Sequence, residues 1–316
     1  MNREGYQVLV FAICVLLWCC DRASHENVAP VSAPSQQAES VKSESEPYVP
    51  DQFGQSIGDF IKTYTDQSRL SYRDYEIDKL TRSARNTSEK GSTTIEYAVL
   101  RRNRRVIATF DTPLDRLAQV RFGLFSFLGN SEKQLVIEQT SEKFWRYWIV
   151  DFDPDFKIIY DSNDYELVYE LRISDLNGDG YTEILQNLGT FWYFDTLDNL
   201  YSPRPPIIFS YRREQRKYKP SNFAFAPNLL KDIDQRIAKT REVVEQKDEP
   251  NHAVHVKSAI LDVLLRYIYT GKGSEGWKFY DQHYDLDDKP IFKDLLLKKL
   301  HQDRLYNAQQ AEISRN

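Results

Sequence analysis

The chain has 316 residues, of which 41% are hydrophobic and 28% are charged, and its formal net charge at pH 7 is -5. This composition is ordinary for a folded protein, and the mild acidity argues against a polyanionic partner such as nucleic acid. The three cysteines, Cys14, Cys19 and Cys20, all precede residue 21. The rest of the chain therefore has no disulfide, no thiolate metal site and no cysteine nucleophile.

The N-terminus is typical of an export signal. Arg3 precedes an apolar stretch over residues 8–18, which is shorter than the roughly 20 residues that a membrane-spanning helix needs. We predict an export signal over residues 1–20, followed by a polar tether over residues 21–49. Residues 21–47 contain no aromatic residue and no apolar periodicity, so this stretch cannot offset the entropy cost of ordering.

The end of this signal resembles that of bacterial lipoproteins, in which a cysteine after a leucine-rich run becomes lipid-modified. Leu17-Trp18-Cys19-Cys20 carries the resemblance. That family has a small residue before the modified cysteine, and because Trp18 is bulky, Cys20 is the preferred candidate over Cys19. The resemblance implies a lipid-anchored protein of the cell envelope. The alternative is cleavage near Ala23 and release as a soluble secreted protein.

Apolar residues at helical spacing predict a short helix within residues 50–66, and from there to about residue 220 the pattern predicts β-strands. Turn clusters separate the strands at short intervals, which favours antiparallel pairing over βαβ units. The predicted strands are residues 72–80, 95–100, 106–110, 135–137, 145–152, 157–160, 165–173, 183–188, 191–194 and 207–211.

One internal repeat is visible at a spacing of 48 residues, where Phe125–Ile137 aligns with Ile173–Leu185. An aromatic run follows each copy, at Trp145–Trp148 and Phe191–Tyr193. A period of about 40–50 residues with several strands per unit is typical of propeller blades. Two copies cannot close a propeller, so we predict an open sheet or a partial propeller.

After Pro227 the apolar period becomes helical, around residues 229–237 and 259–268 and again over Ser274–Tyr284 and Lys289–Leu305. The predicted fold class is therefore α+β. An antiparallel β-sheet domain with propeller-blade-like repeats, residues 50–226, precedes a C-terminal helical domain, residues 227–316. Residues 260–288 resemble one tetratricopeptide unit, but such units need neighbours to bury their faces, which favours a helical cap on the sheet.

The sharpest motif is a calcium-type loop at residues 175–183. A hard divalent cation needs six to eight oxygen ligands, and alternate side chains around a tight turn can supply them. Gly180 permits the turn, and Gln186 stands where an EF-hand has its bidentate glutamate, so this is not an EF-hand. The predicted ligands are the side chains of Asp175, Asn177, Asp179 and Glu183 and the backbone carbonyl of Tyr181.

This loop resembles those of FG-GAP and VCBS-type repeats, which occur in integrin-like propellers and in many secreted bacterial proteins. The resemblance implies a structural calcium ion, and an affinity of about 10⁻⁴–10⁻³ M would suit an extracellular module. The degenerate copy at Phe127–Leu135 has no carboxylate at the first or third ligand position and should bind nothing. The alternative is a simple Asp-Gly hairpin turn with solvated carboxylates.

Other candidate sites are weaker. Asp151, Asp153 and Asp155 alternate around Pro154, and we interpret them as a turn rather than a second cation site. His252 and His255 are interpreted as a solvated helix edge because no third metal ligand is in view.

Two further clusters have an alternative binding interpretation. Exposed Trp and Tyr faces stack on sugars, but aromatic residues on strands usually fill the core of a sheet. We predict that four aromatic residues fill the core of the sheet: Trp145, Trp148, Trp192 and Tyr193. The basic runs Arg101–Arg105 and Arg212–Lys219 are interpreted as solvated turns rather than nucleic-acid patches.

The chain has no H-E-x-x-H helix and no P-loop. We therefore predict an exported, membrane-tethered envelope protein with a structural calcium loop that binds or scaffolds another envelope component, protein or glycan. The alternative is a secreted hydrolase or a carbohydrate-binding protein.

Overall fold

The computed structural model describes residues 55–56, 68–83, 94–112, 118–129, 132–141 and 144–313. The predicted signal over residues 1–20, the predicted tether over residues 21–49 and the candidate lipidation site Cys20 lie outside these ranges. Of the helix predicted within residues 50–66, only Gln55–Ser56 is described, and these two residues form a strand. That prediction is wrong at this point because their backbone groups pair with the edge of a sheet.

In the described part of the chain the strands are β1 (Gln55–Ser56), β2 (Arg69–Tyr72), β3 (Tyr75–Ser83), β4 (Thr94–Arg102), β5 (Arg105–Phe110), β6 (Gln119–Phe125), β7 (Gln134–Thr140), β8 (Trp145–Asp151), β9 (Lys157–Asp161), β10 (Leu167–Ser174), β11 (Glu183–Leu188), β12 (Pro206–Arg212) and β13 (Lys217–Pro220).

These strands form three antiparallel sheets, each a meander in which consecutive strands pair. The first meander is β2–β5, the second is β6–β9, and the third is β10–β13 with β1 on its outer edge. The antiparallel prediction is confirmed. Among the described strands, no pairing closes a propeller.

The hairpin between β4 and β5 accounts for the basic run Arg101–Arg105. Asn103 and Arg104 at its tip have φ values of 49° and 65°. Two consecutive left-handed residues are the signature of a type I′ turn, whose twist matches that of the flanking strands. The basic side chains therefore surround a hairpin tip, as predicted.

The second meander forms the middle layer of the β part. On β8, Tyr147 belongs to a core shared with the third meander and the helices, whereas its neighbour Trp148 belongs to a core shared with the first meander. Successive side chains of a strand point to opposite faces of the sheet, so this sheet is buried on both faces. In the third meander, β11 is also buried along its whole length.

The helices follow β13. Within the described residues they are α1 (Ala226–Leu229), α2 (Ile233–Glu245), α3 (His252–Tyr269), α4 (Gly273–His283), α5 (Lys289–Gln302) and α6 (Arg304–Ile313). Leu264 of α3 and Tyr280 of α4 share a core cluster with Ile184 and Phe209 of the third meander. No helix in the described ranges combines the length and apolar character needed to cross a bilayer.

The helix predicted over Lys289–Leu305 is wrong in its extent, because it ends at Gln302 and a new helix starts at Arg304. The carboxylate of Asp303 accepts hydrogen bonds from the backbone N–H groups of Leu305 (2.6 Å) and Tyr306 (2.9 Å). A carboxylate in this position satisfies the free N–H groups at a helix start, so Asp303 divides the apolar pattern into two helices.

Candidate functional site

The candidate cation loop, Asp175–Glu183, joins β10 to β11, and it is flanked by strands as predicted. The two carboxylate oxygens of Asp175 accept hydrogen bonds from Gly178 N–H (2.8 Å) and Gly180 N–H (3.0 Å). Gly178 and Gly180 have φ values of 74° and 82°, a region that favours glycine. The backbone thus wraps around the first predicted ligand.

The next two predicted ligands are exposed and hold each other in place. Asp179 N–H donates to Asn177 Oδ1 at 3.0 Å, and the amide of Asn177 donates to the carboxylate of Asp179 at 3.1 Å. Tyr181 N–H donates to the other carboxylate oxygen of Asp179 at 2.8 Å. All three side chains that alternate around the turn therefore present their oxygens to the inside or rim of the same short loop.

Glu183 closes the loop from within the protein. Its side chain is only 1% exposed, and its carboxylate accepts a hydrogen bond from Leu176 N–H at 2.8 Å. Burial raises the pKa of Glu183, and the negative charges of Asp179 and Asp175 raise it further, against the opposing effect of the Leu176 N–H. A buried carboxylate with two acidic neighbours is stabilised by a nearby cation.

The chemistry of this donor set suits calcium, because carboxylate, amide and carbonyl oxygens are its preferred ligands. The described conformation does not bring them to one point. Across the described ranges, no three His, Cys, Asp or Glu side chains converge closely enough to hold a metal ion. Binding therefore requires the carboxylates of Asp175, Asp179 and Glu183 to turn towards a common centre.

A counterpart of this loop joins β6 to β7 in the second meander. Phe127 N–H donates to the side-chain oxygen of Gln134 at 2.8 Å, which repeats the closure between Leu176 and Glu183. Gly129, with φ 67°, takes the place of Gly178. The predicted alignment at a spacing of 48 residues is therefore wrong by one residue. The hydrogen bonds that close the two loops, rather than the matching apolar side chains, define which residues are equivalent.

The two loops differ in charge. Gln134 is neutral where the third meander has the acidic Glu183, and Ser126 stands where the third meander has Asp175. In the second meander the ammonium group of Lys133 donates to Ser126 Oγ at 2.9 Å. The counterpart loop thus has a side-chain cation of its own, and the absence of a metal ion from it stays a prediction.

The two loops also pack directly on each other. Thr182 N–H donates to Phe127 C=O at 2.8 Å, and Tyr218 donates from its hydroxyl to Thr182 C=O at 2.8 Å. A Cβ atom added to Gly129 would lie 2.3 Å from the carbonyl oxygen of Gly180. The candidate cation loop therefore lies at the junction between the second and third meanders.

The strand predicted over residues 191–194 is wrong. This segment begins the long connection from Gly189 to Pro205 between β11 and β12, and residues 191–193 form a turn. Trp192 N–H donates to Gly189 C=O at 2.8 Å, and Phe194 N–H donates to Phe191 C=O at 3.2 Å. These local hydrogen bonds replace those of a strand.

This connection contributes to a row of stacked side chains that we call the aromatic ladder. It runs from Tyr193 through Trp192, Arg204 and Tyr169 to Trp145. The rings of Tyr193 and Trp192 are stacked, with centroids 5.8 Å apart and planes at 9°. The guanidinium of Arg204 lies 5.3 Å from the ring centre of Trp192 and 4.8 Å from that of Tyr169. The ring of Tyr169 lies 5.9 Å from that of Trp145.

The predicted core positions of the aromatic residues are therefore only partly correct. Trp148 is buried between the first and second meanders, as predicted. Trp145 and Trp192 are half-buried, and Tyr193 is 60% exposed. Sequence alone also missed Tyr169, whose φ of 64° lies at an irregularity in the pairing of β10 with β11. Such a bulge turns a side chain out of the regular alternation of a strand.

Arg204 is held inside the ladder. Its guanidinium donates to the backbone and side-chain oxygens of Asn199, and Asn199 also accepts a hydrogen bond from the indole N–H of Trp192 at 2.5 Å. Arg204 is 6% exposed, and its Nε has no hydrogen-bond partner. Burial lowers the pKa of Arg204. The faces of two aromatic rings therefore provide much of the stabilisation of this cation.

A buried ion pair network anchors the same connection to the helices. The ammonium group of Lys257 on α3 lies 2.6 Å from Asp195 and 2.7 Å from Asp288, which precedes α5. Burial alone would lower the pKa of Lys257, but the hydrogen bonds to Asp195 and Asp288 outweigh it and raise the pKa. Asp195, near the middle of the long connection, is thus held to α3 by an ion pair.

The other predicted candidates do not form sites. The turn of Asp151, Asp153 and Asp155 is clamped by Arg216, which lies 3.1 Å from Asp151 and 2.5 Å from Asp155. The guanidinium of Arg216 therefore pairs with two carboxylates of this turn. The half-buried ring of His255 packs on Tyr201 with centroids 5.0 Å apart.

An open cavity of about 730 Å³ lies on the first meander, lined by residues including Arg69, Asp78 and Arg101. Asp78 is ion-paired with Arg69 at 2.5 Å and also with Arg101. Its central carboxylate is thus engaged by two guanidinium groups.

Comparison with known proteins adds no assignment: no protein-family model, no curated protein and no solved structure matches this chain.

Proposed function

We propose that this is an exported, membrane-tethered protein of the cell envelope that binds or scaffolds another envelope component. The export signal and the lipid anchor at Cys20 are proposed from the N-terminal sequence, in which Arg3 and an apolar stretch precede a cysteine pair. The three successive four-stranded meanders support a scaffold of propeller-blade-like units.

A structural calcium ion in the loop Asp175–Glu183 is part of the proposal. The observation that carries it is the carboxylate of Glu183, which is buried where the second and third meanders meet and whose pKa is raised by burial and by the charges of Asp179 and Asp175. A calcium ion would neutralise these charges and fix the contact between Gly129 and Gly180. Its role would be to stiffen the scaffold rather than to take part in a reaction.

The test is thermal unfolding of residues 28–316 with calcium, with magnesium and after chelation. A ligand that binds only the folded state at 100 times its Kd stabilises it by about 2.7 kcal/mol. We expect a calcium-specific rise in melting temperature that Asp179→Ala abolishes.

Asp198→Ala is the matched control, because the Asp198 carboxylate accepts hydrogen bonds from Leu200 N–H (2.8 Å) and Tyr201 N–H (3.1 Å) in a similar turn outside the loop. This variant should keep the full calcium response. If neither the parent protein nor the control responds to calcium, the loop is a simple turn and the structural role for calcium is rejected.

A further inference from the structure

We propose that the aromatic ladder is a glycan-binding surface, on which sugar rings stack against the Trp192–Tyr193 pair. This inference rests on the proposed function, because it names the envelope component that the protein binds. It is carried by the length of the supporting connection, the rigidity of the rings, the charge of the ladder and the size of the exposed surface.

The connection that presents the ladder is longer than its place in the fold requires. Antiparallel neighbours need only about two to five residues to turn, and the equivalent connection in the second meander, between β7 and β8, covers only residues 141–144. The third meander uses Gly189–Pro205 for the same step. Long ordered connections of this kind usually carry a binding or catalytic function.

The rings are held in fixed positions before any ligand arrives. Tyr169 and Tyr193 have φ values of 64° and 57°, and they are the only aromatic residues with positive φ in the described part of the chain. Bulky residues adopt this conformation only at a cost in free energy, so it persists only where the surrounding structure enforces it. Asn199 fixes Trp192 and Arg204, and Lys257 fixes the middle of the connection. Such preorganisation lowers the entropy cost of binding.

The charge of the ladder selects against a cationic ligand. Aromatic faces can bind ammonium groups, but here the inner faces of Trp192 and Tyr169 already enclose the guanidinium of Arg204. A second cation on the same rings would be repelled by Arg204, which has no carboxylate partner among the described residues. A neutral or acidic ring with an apolar face is therefore the better match.

The exposed surface is small and mixed in character. Tyr193 and Leu200, at 60% and 50% exposure, are the large apolar residues that the connection exposes. A stable protein interface buries about 800 Å² on each partner, far more than these two side chains supply. A sugar ring is comparable in size to one aromatic ring. The exposed Asp198 lies at the same rim, and its carboxylate can accept hydrogen bonds from hydroxyl groups.

The decisive experiment measures binding of three soluble hexasaccharides, a neutral β-glucan, an N-acetylglucosamine oligomer and a uronate oligomer, by calorimetric titration of residues 28–316. We expect at least one of them to bind, and Tyr193→Asn to weaken that binding at least tenfold. Asparagine tolerates the left-handed backbone at this position, so the variant loses the ring without a conformational penalty.

Two further variants test whether the aromatic ring itself is needed for binding. Tyr193→Trp keeps an aromatic ring at this position and should keep binding. Ile291→Ala removes an exposed apolar side chain from α5 and should leave binding unchanged. Equal binding by the parent and Tyr193→Asn, or no binding of any hexasaccharide, would overturn the inference.

A second measurement distinguishes a failure of the glycan inference from a failure of the proposed function. Envelope fragments of the source cells are tested intact and after protease digestion, with the same protein. Binding that survives digestion and is lost in Tyr193→Asn supports a glycan. Binding that digestion abolishes overturns the glycan but leaves the proposed function with a protein partner, whereas no binding to intact fragments rejects both.

Discussion

The second meander, β6–β9, and the third, β10–β13, close the loop between their first two strands with the same hydrogen bond. A backbone N–H, of Phe127 in one and Leu176 in the other, donates to the first side chain of the next strand. That side chain is the neutral Gln134 in the second meander and the acidic Glu183 in the third. The closing hydrogen bond is thus kept while the charge of its acceptor side chain changes.

The change in charge has a structural consequence. In the second meander the nearby positive charge comes from Lys133, and Glu132 is paired with Arg73 of the first meander. In the third meander, burial and the negative charges of Asp179 and Asp175 raise the pKa of Glu183, and no lysine is among the groups that shift it. The proposed calcium ion would supply there the positive charge that Lys133 supplies in the second meander. A loop with its own side-chain cation and an all-acidic loop thus differ by only a few substitutions at equivalent positions.

The largest expected effect tests the contact between the two loops. Gly129→Ala places a Cβ atom 2.3 Å from the backbone oxygen of Gly180, and it also forces alanine into the left-handed region. Backbone cannot give way as a flexible side chain can, so we expect a loss of about 3 kcal/mol in the free energy of unfolding. Urea unfolding measures this loss.

Gly178→Ala is its counterpart in the third meander and the natural control. Gly178 has a similar φ, but its added Cβ would meet nothing within 4 Å. Only the conformational cost of about 1 kcal/mol should appear. Equal losses in the two variants would mean that the close approach of Gly129 to Gly180 does not restrict the size of the residue at position 129.

The second prediction concerns the long connection that only the third meander has. Lys257→Met removes the buried cation between Asp195 and Asp288 while keeping the length of the side chain. Breaking a fully buried pair costs about 3–5 kcal/mol, but both carboxylates here are partly exposed, so we expect about 2 kcal/mol. Urea unfolding gives the loss, and the fluorescence of Trp192 should change with it if the connection loosens.

Lys247→Met is the matched control for this change. Lys247 forms an ion pair with Asp285 at 2.9 Å, but its side chain is 70% exposed. Exposed pairs contribute about 0–1 kcal/mol, so its loss should be close to zero. A similar loss in both variants would show that Lys257 acts as an ordinary surface charge and does not anchor the connection.

The sequence predicts the strands well where apolar runs are bounded by turn residues. β11 starts and ends where predicted, because Gly180 and Gly189 lie on either side of it. β6 was not predicted, although Val120, Phe122 and Leu124 alternate along it. Gly123, a residue type that is uncommon in strands, weakens that signal. The division of the last helix at Asp303 depends on a side-chain cap that the apolar period does not reveal.

The aromatic ladder could not be predicted as a unit, because its members come from β8, β10 and the connection after β11. Their stacking depends on tertiary structure, and Tyr169 leaves the strand alternation only through a bulge. One signal was present in the sequence. Residues 195–206 are rich in Asp, Asn, Ser and Pro, which disfavour a strand directly after Phe191–Phe194 and indicate a long turn instead.

The smallest expected effect concerns pH and tests the charge difference between the two loops. Because burial and the neighbouring carboxylates raise the pKa of Glu183 in the folded protein, the folded state binds this proton more tightly than the unfolded state does. Without divalent ions, the contribution of Glu183 to stability is therefore present below its unfolded pKa and is lost as pH rises through its folded pKa. Glu183→Gln makes this loop resemble that of the second meander and removes the titration. In chelator, the free energy of unfolding of the variant should exceed that of the parent at neutral pH, and the two should converge in acid. With calcium the order should reverse at neutral pH, since the ion needs the ionised carboxylate as a ligand. Urea midpoints at several pH values measure both differences, and parallel curves for parent and variant in chelator would show that Glu183 titrates normally and that the two loops do not differ in the way proposed.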